Sequence, residues 1–141
     1  MPEWITLTNL VLLAGLLHFC QIPAMLAAPR MLGWKEDLAK LAVINRRIVQ
    51  VIGIAIVIVG VGLGIVVVCA PADVAGGSRA GMGLACFLGV FWGYRAAVQY
   101  LLYHRIWPRG VVGRLSHYGL CGLFTFQSVV YLAAFLAGLG G

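Results

Sequence analysis

The sequence predicts an all-α membrane protein: four transmembrane helices in an antiparallel up-down bundle, with a short amphipathic interfacial helix between the first and second spans. Three observations lead there. Of 141 residues, 62% are hydrophobic and only 10% charged, and the mean hydropathy is +1.01, well beyond a soluble domain, in which roughly half the residues are apolar. Four apolar windows, 5–28, 48–68, 81–103 and 118–139, each reach the roughly 20 residues that cross a hydrocarbon core. The basic residues then alternate between connections. Arg30, Lys35, Lys40, Arg46 and Arg47 lie between the first two spans, Arg105, Arg109 and Arg114 between the last two, and Arg79 alone in the middle connection. Because Lys and Arg are retained on the cytoplasmic side, the odd-numbered connections are expected inside and both termini outside. No sequence remains for a soluble domain, so 1–141 reads as one unit.

The first window follows Met1, Pro2 and Glu3, with no Lys or Arg ahead of it, and is too long for a signal core. It is expected to stay in the mature protein. The absence of a lipidation box or a terminal cysteine points to spanning rather than anchoring. Pro29 and Gly33 are expected to end this span. In WKEDLAKLAVINRR, Trp34, Leu38, Leu41 and Ile44 recur at helical spacing, while the charges fall mostly elsewhere. This is the expected interfacial helix, with Trp34, Arg46 and Arg47 at the headgroups.

The second span, GIAIVIVGVGLGIVVV, has no polar side chain beyond Gln50 and carries Gly60-x-x-x-Gly64; the third carries Gly89-x-x-x-Gly93. Small residues four apart let helix backbones approach closely in lipid, so these four glycines are expected at packing seams. The second span is the expected lipid-facing or partner-facing helix. After the third span, RIWPRGVVGRL holds Pro108 and Gly110 to break the helix, with Arg105, Trp107 and Arg109 for the headgroup layer. The net charge of +6 therefore reads as topology and as affinity for anionic lipid headgroups. No basic patch with interleaved aromatics lies outside the membrane boundary, so nucleic acid is not an expected partner.

Several chemistries are disfavoured. Cys20, Cys69, Cys86 and Cys121 are dispersed without a C-x-x-C pair. They are expected to pack as small apolar thiols, with a bridge between Cys69 and Cys86, both toward the outer face, as the alternative. The four acids, Glu3, Glu36, Asp37 and Asp73, all fall outside the windows, which argues against a carboxylate proton relay. His18, Cys20 and Met25 do not make a metal site, since positions 18 and 20 point about 200° apart on a helix.

What stands out is a polar layer. In FWGYRAAVQYLLYH a permanent charge, Arg95, sits in an apolar and aromatic run. His18 and Arg95 lie at similar depths, roughly 20 Å from the outer boundary at the helical rise. Gln21 and Met25 share the face of His18; Leu88, Trp92, Gln99 and Tyr103 share that of Arg95; and Phe124, Gln127, Ser128 and Tyr131 lie on the side of His117. Arg95 is close enough to the inner end to snorkel, and Gln99 and Gln127 can act as interhelical glue. His18 is too deep to snorkel. The functional alternative is a pocket of His18, Gln21, Trp92, Arg95, Gln99, Gln127 and Tyr131 that takes a quinone, or a haem b or chlorin ligated through His18.

HFCQIPAMLAAPRMLGWKEDLAKLAVINRRIV, the glycine-rich span and FWGYRAAVQ together resemble a group of small bacterial four-span membrane proteins with no assigned activity. The resemblance implies a bacterial inner membrane and transfers no functional residues. The leading expectation is a non-catalytic subunit or scaffold, accessory to a larger membrane complex or forming a homo-oligomer. A quinone- or haem/pigment-binding redox protein is the alternative, and a small homo-oligomeric channel or transporter a further one.

Overall fold

The computed structural model describes residues 5–140; Met1, Pro2 and Glu3, which bear on the leader expectation, lie outside the described residues. It is helical, with no strand among those residues, and four of its helical stretches are long and apolar enough to cross a membrane.

The first, α1 (Leu7–Met31), starts where Thr6 Oγ1 accepts a hydrogen bond from the Asn9 amide at 3.2 Å, a side-chain cap on the first turn. Pro29 was expected to end it, yet the helix runs through Pro23 and Pro29. Proline's fixed φ is helical, and helices in lipid tolerate the lost amide. The chain turns at Gly33, whose φ of +66° lies in the left-handed region that glycine enters without a Cβ clash.

The amphipathic stretch is shorter than its pattern. Helix α2 (Trp34–Ala39) has six residues, none buried, and an exposed Lys40–Asp37 ion pair at 2.9 Å. A break at 40–42 then separates it from α3 (Val43–Cys69), so Ile44, Arg46 and Arg47 belong to α3 and not to α2. Periodicity alone does not register this break, because both sides of it are helical.

A wide turn at Asp73–Gly77 packs against α1 and the last two long helices. Ser78 Oγ then accepts from the Gly81 amide at 3.0 Å and opens α4 (Arg79–Val98). An i to i+5 turn, Gln99–Tyr103, carries α4 into α5 (His104–Ile106), completing a 28-residue apolar stretch. The final helix, α6 (Val111–Leu139), begins seven residues before the expected 118. A rule that asks for unbroken apolar sequence misses these first two turns or so because they contain Arg114, Ser116 and His117. Here Ser116 Oγ is bonded to Gly113 O at 2.9 Å and His117 to Gln99, which removes the cost of placing them on a helix.

Contacts link the long helices in the order α4, α6, α1, α3, with the closest association between α4 and α6. Gly15 meets Val67 and His18 meets Gly64; Trp92 meets Phe124 and Gln99 meets His117. The core lies among α1, α4 and α6 and is built from Val11, Ala14, Leu88, Trp92, Phe124, Tyr131 and Ala134. Helix α3 contributes little to it: only Gly64 and Val67 are buried.

The seams are set by absent side chains. A Cβ on Gly64 would lie 2.9 Å from His18 Cβ, and one on Gly89 would lie 2.7 Å from Leu132 Cδ2. Gly93 faces Ser128 Oγ at 3.0 Å in the same sense. Gly60 differs: an added Cβ meets nothing within 4 Å, and the residue meets α1 through its carbonyl instead. All four cysteines are free thiols. A Cys69–Cys86 bridge does not form, in keeping with an α3 that rests on α1 rather than on α4.

Candidate functional site: a buried polar layer

His18 is the centre of the layer because it reaches every other long helix. Its Nε2 lies 3.1 Å from the Tyr131 hydroxyl on α6, its Nδ1 lies 3.4 Å from Gly60 O on α3, and its ring stands edge-on to Trp92 of α4 at 5.1 Å and 84°. A carbonyl can only accept, so Nδ1 carries the proton, and the Tyr131 O–H then donates to the Nε2 lone pair. Both ring nitrogens are engaged. His18 is 4% exposed and Tyr131 fully buried, so this bond is shut away from the surface.

One helical turn along α1, Gln21 Nε2 donates to Gln127 Oε1 at 2.8 Å, and Gln127 Nε2 donates to Ala14 O at 3.1 Å. Ser128 Oγ donates to Gly89 O at 2.9 Å. These bonds tie α6 to α1 on one side and to α4 on the other. Carbonyls inside a helix already accept one bond each; the second lone pair is what Gln127 and Ser128 use.

Arg95 is half-buried, with its guanidinium 5.2 Å from the centre of the Phe124 ring. Phe124 in turn stacks on Trp92 at 5.3 Å and 19°. The face of an aromatic ring carries negative charge density, and the described acids place no carboxylate beside this cation: the ion pair among the described residues is Lys40–Asp37. One donor in the layer is left over. Trp92 is 6% exposed and its Nε1–H has no hydrogen-bond partner.

The expected pocket residues therefore divide. His18, Gln21, Trp92, Gln127 and Tyr131 come together; Arg95 joins through Phe124. Gln99, 1% exposed, belongs to a separate group nearer the connection between α5 and α6. There its Nε2 donates to His117 Nδ1 at 3.0 Å, while His117 Nε2 lies 3.8 Å from Cys121 Sγ. With the fourth span expected to start at 118, His117 falls just outside it, and its group with Gln99 and Cys121 is not among the expected contacts. The signal was present in the spacing: 117, 121, 124, 128 and 131 continue one helix face past the expected start of the span.

Chemically the layer is a neutral network with one fixed cation at its edge. Ligation of a haem iron or a chlorin magnesium through His18 Nε2 requires Tyr131 to give up its acceptor. Among the described residues, no group of three or more His, Cys, Asp or Glu is placed to hold a metal ion. Of the headgroup residues expected from sequence, Trp107 is partly buried and donates to Ser116 Oγ at 3.1 Å, Trp34 and Arg46 are half-exposed, and Arg47, Arg105 and Arg109 are exposed. No protein-family model, curated protein or solved structure matches this chain.

Proposed function

We propose that this multi-pass protein is a non-catalytic subunit or scaffold of a bacterial cytoplasmic membrane, acting within a larger membrane complex or a homo-oligomer. Its four spans form an antiparallel up-down bundle with α2 on the inner surface and both termini outside. The side assignment is supported by the placement of eight of ten Lys and Arg in the first and third connections. The observation that carries the assembly reading is α3. It rests on α1 and leaves Ile54, Ile58, Val59 and Ile65 half or more exposed, and an added Cβ at Gly53, Gly60 or Gly62 would meet no atom within 4 Å. Such positions admit another helix backbone at short range. A photo-crosslinking residue at Ile58 in native membranes is expected to give one discrete adduct, and at Val129, exposed on α6, none. Equal, diffuse labelling of lipid at both positions refutes the assembly reading.

A quinone site is the second reading, supported by the unpartnered Trp92 Nε1 beside His18 and Phe124, with Arg95 over the far ring. A quinone carbonyl supplies the acceptor that this indole lacks. Arg95→Leu is then expected to keep the fold and lose retained quinone; unchanged retention refutes this reading. Oxidised and reduced absorption spectra of the protein from native membranes test haem and chlorin in the same preparation.

A further inference from the structure

A concave site lies away from the polar layer, where α5 turns into α6. It is a cavity of about 350 Å³, inside the roughly 300–1,000 Å³ range of small-ligand pockets. Two arginines, Arg109 and Arg114, and two imidazoles, His104 and His117, line it together with the rings of Trp107 and Tyr118. No acid is among its lining residues, and neither arginine has a carboxylate partner among the described residues. Of the described acids, Glu36 and Asp37 lie on α2 and Asp73 on the opposite connection.

The local fold keeps this cationic cup open. Gly113 is buried against the Pro108 carbonyl, so any side chain there would displace the turn. Gly110, at φ +121°, precedes the helix and has no side chain to cap the first amides of α6. Those amides add partial positive charge to the same end. The back wall is fixed: His117 is held by Gln99 and Cys121, Trp107 by Ser116, and the His117 ring lies 6.0 Å from both His104 and Trp107. Next to the lining residues in sequence, Ile106, Val111, Val112 and Leu115 are each at least 66% exposed, an apolar rim beside the cationic groups.

We infer that this cavity binds a phosphate-bearing anion, with Arg109 and Arg114 as the charged ligands. The apolar rim favours an anionic phospholipid headgroup over free phosphate as its source. Guanidinium groups match phosphate oxygens in pairs, and the aromatic rings seat the glycerol region at the interface. The inference is independent of the assembly reading, since the cavity is built from α5, α6 and their connection alone.

Native mass spectrometry of the full chain in detergent micelles, titrated separately with phosphatidylglycerol and phosphatidylcholine, tests it. The wild type is expected to retain one phosphatidylglycerol about tenfold more tightly than phosphatidylcholine, whose quaternary ammonium offsets the phosphate charge and is repelled by the two arginines. The Arg109→Gln/Arg114→Gln variant loses that preference, and Arg105→Gln, exposed on the same connection but outside the lining, keeps it. Phosphorus NMR with inorganic phosphate separates the sources: broadening that the double variant abolishes, without lipid preference, supports the phosphate site with a soluble ligand. Equal losses in Arg105→Gln and in the double variant indicate a diffuse basic surface and overturn the site. So does the absence of both lipid preference and phosphate binding. The substituted arginines are exposed, so circular dichroism and thermal melting of the variants are expected to match the wild type.

Discussion

Replacing Gln127 by Leu removes two hydrogen bonds at once. The side chain is fully buried, accepts from Gln21 Nε2 at 2.8 Å and donates to Ala14 O at 3.1 Å. Leucine is close in size, so the loss is polar rather than volumetric. Interhelical hydrogen bonds in a membrane protein average about 0.6 kcal/mol, with a maximum of about 1.7, because chains unfolded in lipid also find partners. Two such bonds give about 1.2 kcal/mol, or about an eightfold shift in the folding equilibrium. Gln21→Leu loses only the shared bond, about 0.6 kcal/mol on the same scale. The double variant loses no more than Gln127→Leu alone, because the shared bond is counted once. A double-mutant cycle measured by steric trapping or by denaturation in bicelles is expected to return a coupling of about 0.6 kcal/mol between positions 21 and 127. Strict additivity, with Gln127→Leu as stable as the wild type, would refute the claim that this amide pair holds α6 to α1.

The same assay checks three further expectations. Gly89→Ala places a Cβ 2.7 Å from Leu132 Cδ2 and 3.1 Å from the Leu132 backbone nitrogen, and is expected to destabilise by about 1–3 kcal/mol through overpacking; Gly122→Ala, with open space around it, is expected to be neutral. Tyr131→Phe removes the donor to His18 Nε2 while keeping the ring, and is expected to cost about 0.6 kcal/mol, with no lowering of stability counting against the bond. Gly33→Ala forces a Cβ onto a φ of +66° and is expected to cost about 1 kcal/mol, with Gly33→Asn recovering part of it; equal effects of the two substitutions would show that φ is not the cause.

The four spans were legible because lipid leaves helices little alternative, so apolar length alone locates them. Their ends were less so. Pro29 reads as a stop in a soluble helix, yet here the helix passes through it, and the start of α6 was hidden by polar residues whose partners lie on α4. The polar layer was legible in part for the same reason. Helical spacing puts Gln127 and Tyr131 on one face, and depth counting brings His18 level with α4. Which amide meets which group depends on helix neighbours: α1 sits beside α6, while α3 rests on α1 and hardly touches α4. That order is decided by small residues such as Gly15, Gly64 and Gly89 and the larger side chains that enter the gaps, a match between distant positions that no local pattern reports. The pairing of Gln99 with His117, and the indole left without an acceptor, follow from it.

The bond between His18 and Tyr131 joins residues 113 positions apart, and that separation has a meaning in time. At synthesis rates of about 5–20 residues per second, roughly 6–23 s pass between the emergence of the two side chains. During that interval α1 and α3 can already associate through Gly15 and Gly64, but the imidazole and the Gln21 amide have no α6 to meet. The newly inserted half of the protein thus carries exposed polar groups within the bilayer until the last span arrives. Any factor that binds amide and imidazole groups in lipid has its opportunity in those seconds, and the finished protein closes it.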